Sequence, residues 1–300
     1  MNYLITVVGP TAIGKTALSI KLAQHFKAAI ISCDSRQFFK EMSIGTAVPE
    51  PEELAAAPHY FIQNKSIQEN YSVGHFEREA IDKINELFVT NNIVIMVGGS
   101  GLYVDAVING LDYFPTVDPA VRVELNTRLE KEGLSSLQHQ LKELDPETYQ
   151  DIAIDNPHRL IRALEVCIGS GQTYSSFKNK PKSPRNFTPI KIGLKADRAI
   201  IYDRINRRVD LMIEKGLLKE AQSLYNQRQL NALNTVGYRE IFSYLEGKID
   251  FEFSVSEIKK NSRRFAKRQL TWFKKDENTL WFDHLEPVGN ILQRIEKLVQ

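Results

Sequence analysis

Tyr3-Leu4-Ile5-Thr6-Val7-Val8 runs directly into Gly9-Pro10-Thr11-Ala12-Ile13-Gly14-Lys15-Thr16. The first six residues are rich in β-branched types and barely alternate in polarity, which predicts a strand buried on both faces. The next eight fit G-x-x-x-x-G-K-[ST]. From Lys15 a helical pattern runs to about Phe26, with Ala17, Leu18, Ile20, Leu22 and Ala23 on its apolar side. In this strand–loop–helix context, successive backbone N–H groups, a helix N-terminus and a lysine form an anion cradle. Gly9, Pro10, Thr11, Ala12, Ile13, Gly14, Lys15 and Thr16 are therefore read as a di- or triphosphate site, with the Thr16 hydroxyl placed to ligate Mg²⁺.

Working outward, Ala28–Ser32 and Ile93–Val97 read as further buried strands. Residues 75–89 read as a helix, with Phe76, Ala80, Ile84, Leu87 and Phe88 at helical spacing. Strand, helix, strand, helix, strand predicts an α/β fold: a P-loop-type parallel sheet core flanked by helices. After about Leu111 the character changes. No strand candidate lies between Val117 and Gly169, only helical patterns over Val121–Lys131, Leu134–Leu144 and Arg159–Cys167. A return strand is predicted at Ile190–Leu194, then helices over Ala199–Lys215, Leu217–Gln227 and Ser256–Phe273. The predicted organisation is a first core part at 1–112, an all-helical insertion domain at 113–187, and core completion with basic C-terminal helices at 188–300.

Composition sets outer limits. Of the 300 residues, 42% are hydrophobic and 25% charged, which argues against a disordered or fibrous chain. The net charge of +2 says nothing about partners, so only local clustering of charge does. Two cysteines, Cys33 and Cys167, lie far apart, which excludes a disulfide framework and fits a reducing compartment. With no signal-like start and no long apolar run, the expectation is a cytoplasmic protein without a membrane segment.

In open parallel sheets ligands sit at the carboxyl ends of strands. Asp34 stands there after the second strand, facing the phosphate loop, as a candidate general base or outer-shell metal ligand. The strand at Ile93–Val97 ends in Gly98-Gly99 rather than in the Mg²⁺-holding Asp usual in P-loop ATPases. That weakens an ATPase or GTPase reading and leaves small-molecule kinases and diphosphate-releasing transferases. Lys259–Lys275 holds eight basic residues and no acid. On a helix, Lys260, Arg263, Arg264, Lys267 and Arg268 fall on one arc, with Ile258, Phe265 and Trp272 on another. This predicts a docked helix with a cationic side open to an RNA backbone. Phe177–Lys191, with five basic residues, three prolines and no acid, is a second basic patch.

Taken together, the motifs resemble one family, the bacterial tRNA dimethylallyltransferases (IPP transferases). The carriers are Gly9–Thr16, Asp34-Ser35-Arg36-Gln37, Ile44-Gly45-Thr46-Ala47, Gly98–Tyr103 and Arg159–Val166. Further along come Tyr202–Gly216, Val236-Gly237-Tyr238-Arg239 and Ala266–Trp272. Ser100, Phe38–Phe39, Val48 and Tyr60 depart from the family pattern, which often has Thr, Tyr, Lys and His there.

The resemblance implies transfer of a dimethylallyl group from its diphosphate to N6 of adenosine 37 in the tRNA anticodon loop, with Mg²⁺; nothing in the sequence demands more than a monomer. Alternatives are a P-loop small-molecule kinase, an isopentenyltransferase acting on free adenine nucleotides, and an RNA-binding module using a nucleotide as a switch. In the transferase reading Asp34 takes the N6 proton, and Lys15 with Arg208 stabilises the leaving diphosphate. Ser100 bonds to Asp34 or to the adenine, and Gln37 is a suitable reader of an adenine edge. Ser35, Arg36, Arg122, Arg239 and the segment His158-Arg159-Leu160-Ile161-Arg162 are implied as further tRNA contacts, beside Arg264, Lys267 and Arg268 on the basic helix.

Overall fold

A computed structural model describes residues 1–299. In chain order its elements begin with β1 (Tyr3–Val8), α1 (Lys15–Phe26), β2 (Ile30–Ser32), α2 (Pro51–Ala55), β3 (His59–Tyr60), α3 (Val73–Leu87), β4 (Ile93–Val97) and α4 (Gly101–Asn109). A helical stretch follows: α5 (Pro119–Glu132), α6 (Leu134–Leu144), α7 (Pro146–Asp151) and α8 (Pro157–Ser170). The chain closes with β5 (Thr188–Lys195), α9 (Arg198–Glu214), α10 (Leu217–Leu224), α11 (Tyr238–Leu245), α12 (Phe251–Phe273), β6 (Leu280–Asp283) and α13 (Val288–Glu296).

The six strands form one sheet in the order β3-β2-β4-β1-β5-β6, and every pairing is parallel. Ile5 sits between Ile95 on one side and Ile190 on the other. Side chains alternate faces along a strand, so Tyr3, Ile5 and Val7 pack in one core layer and Leu4 and Val8 in the other. From β1 the first crossover runs toward β2, while β5 lies on the opposite flank of β1. Such a reversal opens a crevice at the carboxyl ends of the central strands.

The chain divides into two compact units: Met1–Asn109 with Arg185 onward, and Gly110–Pro184. The second starts at 110 where the sequence reading has 113, and ends at 184 where it has 187. Arg185 belongs to the sheet unit because its Nη2 donates to Glu77 (2.6 Å) and to the Ala106 carbonyl (2.8 Å). Phe187 is buried there as well. The helical unit has its own core, with Leu125, Leu137, Leu141, Leu160 and Leu164 buried together. Its helices begin where polar side chains cap them. Asp118 accepts from Ala120 N–H (2.9 Å), and Asn156 accepts from His158 N–H (3.1 Å).

Three features differ from the sequence reading. The helix read as Ser256–Phe273 starts at Phe251, because Asp250 caps it through Phe253 N–H (2.7 Å). Its buried residues are Ser254, Ile258, Ala266, Gln269 and Phe273. Phe265 and Trp272 are 37% and 39% exposed, at the edge of that arc. A spacing of seven drifts around a helix of 3.6 residues per turn, so the stripe through Ile258 does not stay on the buried face. Finally, the Phe177–Lys191 basic patch is largely neutralised. Lys178 pairs with Asp151, Lys182 with Asp112, Arg185 with Glu77 and Lys191 with Asp276. Among the described residues no helix is long and apolar enough to cross a membrane.

Candidate active site

The loop between β1 and α1 and the carboxyl ends of β2 and β4 enclose a cleft of about 790 Å³, lined by Thr11–Thr16, Asp34, Gly98, Gly99 and Arg208 among others. A second cavity of about 310 Å³ is lined by Ser35, Arg36, Ser100, Arg239 and Arg268. Thr11, Asp34, Arg208, Met212 and Phe265 line both. The two cavities therefore meet at one carboxylate and one guanidinium.

The phosphate loop is braced from two helices. On α9, Arg208 Nη1 donates to Thr11 Oγ1 (3.1 Å) and Arg204 Nε donates to the Ala12 carbonyl (2.6 Å). On α12, Gln269 Oε1 accepts from Thr11 N–H (2.8 Å), while its Nε2 donates to the Gly99 carbonyl (2.9 Å). This contact explains the glycine pair after β4. A Cβ at Gly99 would stand 2.1 Å from Gln269 Nε2, and one at Gly98 would stand 2.5 Å from Cys33 Sγ. The glycines let β2, β4 and α12 converge on the loop. In the sequence Gln269 lies inside the family-like stretch Ala266–Trp272 and carries no mark of this role beyond being an uncharged amide inside a basic helix.

Lys15 Nζ donates to the Pro10 carbonyl (2.8 Å). Burial pushes its pKa down to about 8, the nearby Arg208 charge adds to this, and Asp34 opposes it. Arg208 is likewise lowered by burial and supported by Asp34. Two cations held in a low-dielectric cleft beside one carboxylate form a site for a multiply charged anion. Burial pushes the neighbouring Cys33 thiol upward, so it stays protonated.

Such a lysine gives the cleft a pH dependence. Below pH 7 Lys15 is charged, and as pH rises through about 8 it loses the proton that holds the anion. The diphosphate dissociation constant is expected to rise above pH 8 relative to that of Lys15→Arg, whose guanidinium keeps its proton throughout. Calorimetric titration of both proteins with inorganic diphosphate cancels the titration of the ligand; a wild-type-to-variant ratio unchanged from pH 7 to 9.5 would show that Lys15 does not grip it.

Asp34 Oδ1 accepts from Arg36 N–H (2.9 Å), which fixes the carboxyl group on the turn after β2. Ser100 does not bond to Asp34. Its hydroxyl accepts from Ser35 N–H (3.0 Å), tying the β2 end to the start of α4. Gln37 is also engaged. Its Oε1 accepts from Ser32 Oγ (3.2 Å), and its Nε2 donates to the carbonyls of Thr46 (3.2 Å) and Ala47 (2.9 Å). An amide with both ends occupied holds a loop and does not read a base edge in this conformation.

The chain matches the family model described as IPP transferase over residues 37–276. It belongs to that family. The chain is 63% identical over 301 residues to the tRNA dimethylallyltransferase of Flavobacterium johnsoniae, covering 98% of this chain and 97% of the relative. With that of Christiangramia forsetii it shares 60% identity over 298 residues, covering 99% of each. Among solved structures it resembles the tRNA isopentenylpyrophosphate transferase of Bacillus halodurans (TM-score 0.73, 36% identity, 100% of this chain and 96% of that one). It also resembles a eukaryotic dimethylallyltransferase acting on tRNA (TM-score 0.79, 25% identity, 95% and 75%).

The remaining residues implied by the IPP transferase resemblance fall into three groups. Arg36, Arg239 and Arg268 line the smaller cavity, with Arg239 and Arg268 exposed; Arg264 and Lys267 are exposed on α12. In the helical unit, His158 and Arg159 are exposed at the start of α8. Arg122 and Arg162 are held by one buried carboxylate. Arg122 contacts both Glu165 oxygens (3.0 and 2.7 Å), and Arg162 Nη1 donates to Glu165 Oε2 (2.9 Å). Leu160 and Ile161 are 0% and 3% exposed within that unit's core. Their implied tRNA contact is corrected: these two side chains hold α8 in place and offer nothing to an RNA.

Proposed function

We propose that this chain transfers the dimethylallyl group of dimethylallyl diphosphate to N6 of adenosine 37 in the tRNA anticodon loop, releasing diphosphate. The observation that carries the reading is the meeting of the two cavities at Asp34 and Arg208. One cavity contains the phosphate loop; the other is rimmed by arginines suited to an RNA backbone.

In this reading the C1–O bond of the donor breaks as the N6–C1 bond forms. Lys15, Arg208 and the loop N–H groups stabilise charge developing on the departing diphosphate. Asp34 accepts the N6 proton. The nucleotide is extruded from the loop stack to reach the cavity.

Mg²⁺ fits the donor set. Among the described residues there is no cluster of three or more His, Cys, Asp or Glu. Thr16 and Asp34 offer hard oxygens in the phosphate cleft, which suits an ion bound chiefly through substrate phosphates and water. When bound, it neutralises diphosphate charge. One chain supplies the lining of both cavities, so the proposed reaction calls for no second copy, and the tRNA substrate supports a cytoplasmic location.

Supplying labelled dimethylallyl diphosphate with Mg²⁺ and either unmodified tRNA or AMP tests the assignment. Label in tRNA alone is expected. Label in AMP would indicate a free-nucleotide enzyme, and ATP turnover without either would indicate a kinase.

Charge reversal of Arg264 and Lys267 is expected to weaken tRNA binding across sequences. It should also lower the slope of log K against log salt by about 2, since each residue releases about one counterion. Filter binding over a salt series measures this, and an unchanged slope would move the RNA surface off α12.

A further inference from the structure

The loop Ser43–Ala47 stands between the two cavities. Ser43, Ile44 and Ala47 line the larger, and Gly45 and Thr46 line the smaller. This loop is gripped from two sides. From one, Gln37 Nε2 donates to the Thr46 and Ala47 carbonyls. From the other, Glu220, in the first turn of α10, accepts three consecutive N–H groups. Its Oε2 takes those of Ser43 (3.0 Å) and Ile44 (2.8 Å), and its Oε1 takes that of Gly45 (2.9 Å). The Tyr238 hydroxyl donates to the same Oε1 at 2.6 Å. Four donors on one carboxylate are charge-assisted bonds, stronger and more directional than neutral ones. The ring of Tyr238 also fixes how close the loop comes, because a Cβ on Gly45 would stand 2.5 Å from its Cε2.

We infer that Glu220 is a positioning residue that fixes the wall between the donor and acceptor cavities, and through it the separation of the two substrates. Glu220 lines neither cavity. Its influence runs through the loop alone, while the phosphate cradle is braced independently from Arg208 and Gln269. This inference rests on the transfer reading above.

A loosened wall has a chemical signature. Allylic C1 becomes open to water, giving dimethylallyl alcohol: the C1–O bond to diphosphate breaks, a C1–O bond to water forms, and the water proton goes to solvent. Diphosphate is then released without prenylation. A contact that only stabilised the fold would not alter that ratio in the folded enzyme.

The experiment measures diphosphate released and prenyl groups gained by tRNA in one reaction, for the wild type, Glu220→Gln and Gly45→Ala. Glutamine replaces one acceptor oxygen with a donor that faces N–H groups. Alanine displaces the loop and leaves Glu220 in place. For both variants kcat is expected to fall by about 10²-fold, as for a misplacement of order 1 Å. The diphosphate-to-product ratio should rise above one, with the donor KM within about twofold. A lowered melting temperature with a wild-type ratio and kcat in Glu220→Gln would overturn the inference. If that variant fails to fold, Gly45→Ala decides, and wild-type behaviour there overturns it. A wild type that prenylates no tRNA defeats the transfer reading, and the inference falls with it.

Discussion

Asp34→Asn is expected to bind tRNA and donor with near wild-type affinity and to transfer the prenyl group about 10³-fold more slowly, the middle of the range for a positioned general base. Asparagine keeps the side-chain oxygen that accepts from Arg36 N–H, so the turn after β2 is preserved. What it loses is the ability to take a proton. An adenine N6 is a poor nucleophile because its lone pair is delocalised into the ring, so the forming N–C bond develops positive charge that must be shed. The removed negative charge also acts on Lys15, whose protonation Asp34 supports. The rates of both proteins should therefore be compared over a pH series, which separates a lowered Lys15 pKa from the loss of the base. Single-turnover transfer with saturating donor isolates the chemical step. A rate equal to wild type would remove Asp34 as the base.

The second large effect is expected from Lys15→Ala. Removing one preorganised donor from a site that stabilises developing charge costs about 10² to 10³ in kcat, and the donor affinity is expected to fall as well. The backbone of the loop should survive the change. Thr11 remains tied to Gln269 and Arg208, and Ala12 to Arg204, none of which depends on the lysine. Equilibrium binding of inorganic diphosphate and single-turnover transfer read the two effects separately. Wild-type affinity in this variant would contradict the cradle.

The phosphate loop and β1 were legible because their signals are local: β-branched residues in a row, then glycines at a fixed spacing. The long helices were legible for the same reason. The strand β6 was not. It is four residues long, partly exposed, and follows a polar stretch. Its place beside β5 depends on Gly193, whose missing side chain makes room for the ring of Trp281. β3 is two residues at the sheet edge, and nothing local distinguishes it from a turn.

The site was legible at the level of residue type and less so at the level of partner. Asp34 was placed opposite the phosphate loop by a rule about strand ends, and it does line the cleft. Gln37 and Ser100 were read as groups for the adenine, yet both are engaged by protein backbone. A polar side chain in a motif carries no mark that says whether its partner is substrate or chain. The same limit hid Glu220 and Gln269, whose contacts span 175 and 258 residues of sequence. Leu160 and Ile161 show the converse error, in which a contiguous motif includes the residues that merely anchor its helix.

The most direct test of the central claim is a crystal structure of the enzyme with an anticodon stem-loop and an unreactive thio analogue of dimethylallyl diphosphate. The diphosphate is expected against Gly9–Thr16 and Arg208, with N6 of the extruded adenine within about 3 Å of an Asp34 carboxylate oxygen. A complex in which the diphosphate lies elsewhere, or N6 points away from Asp34, would contradict the account.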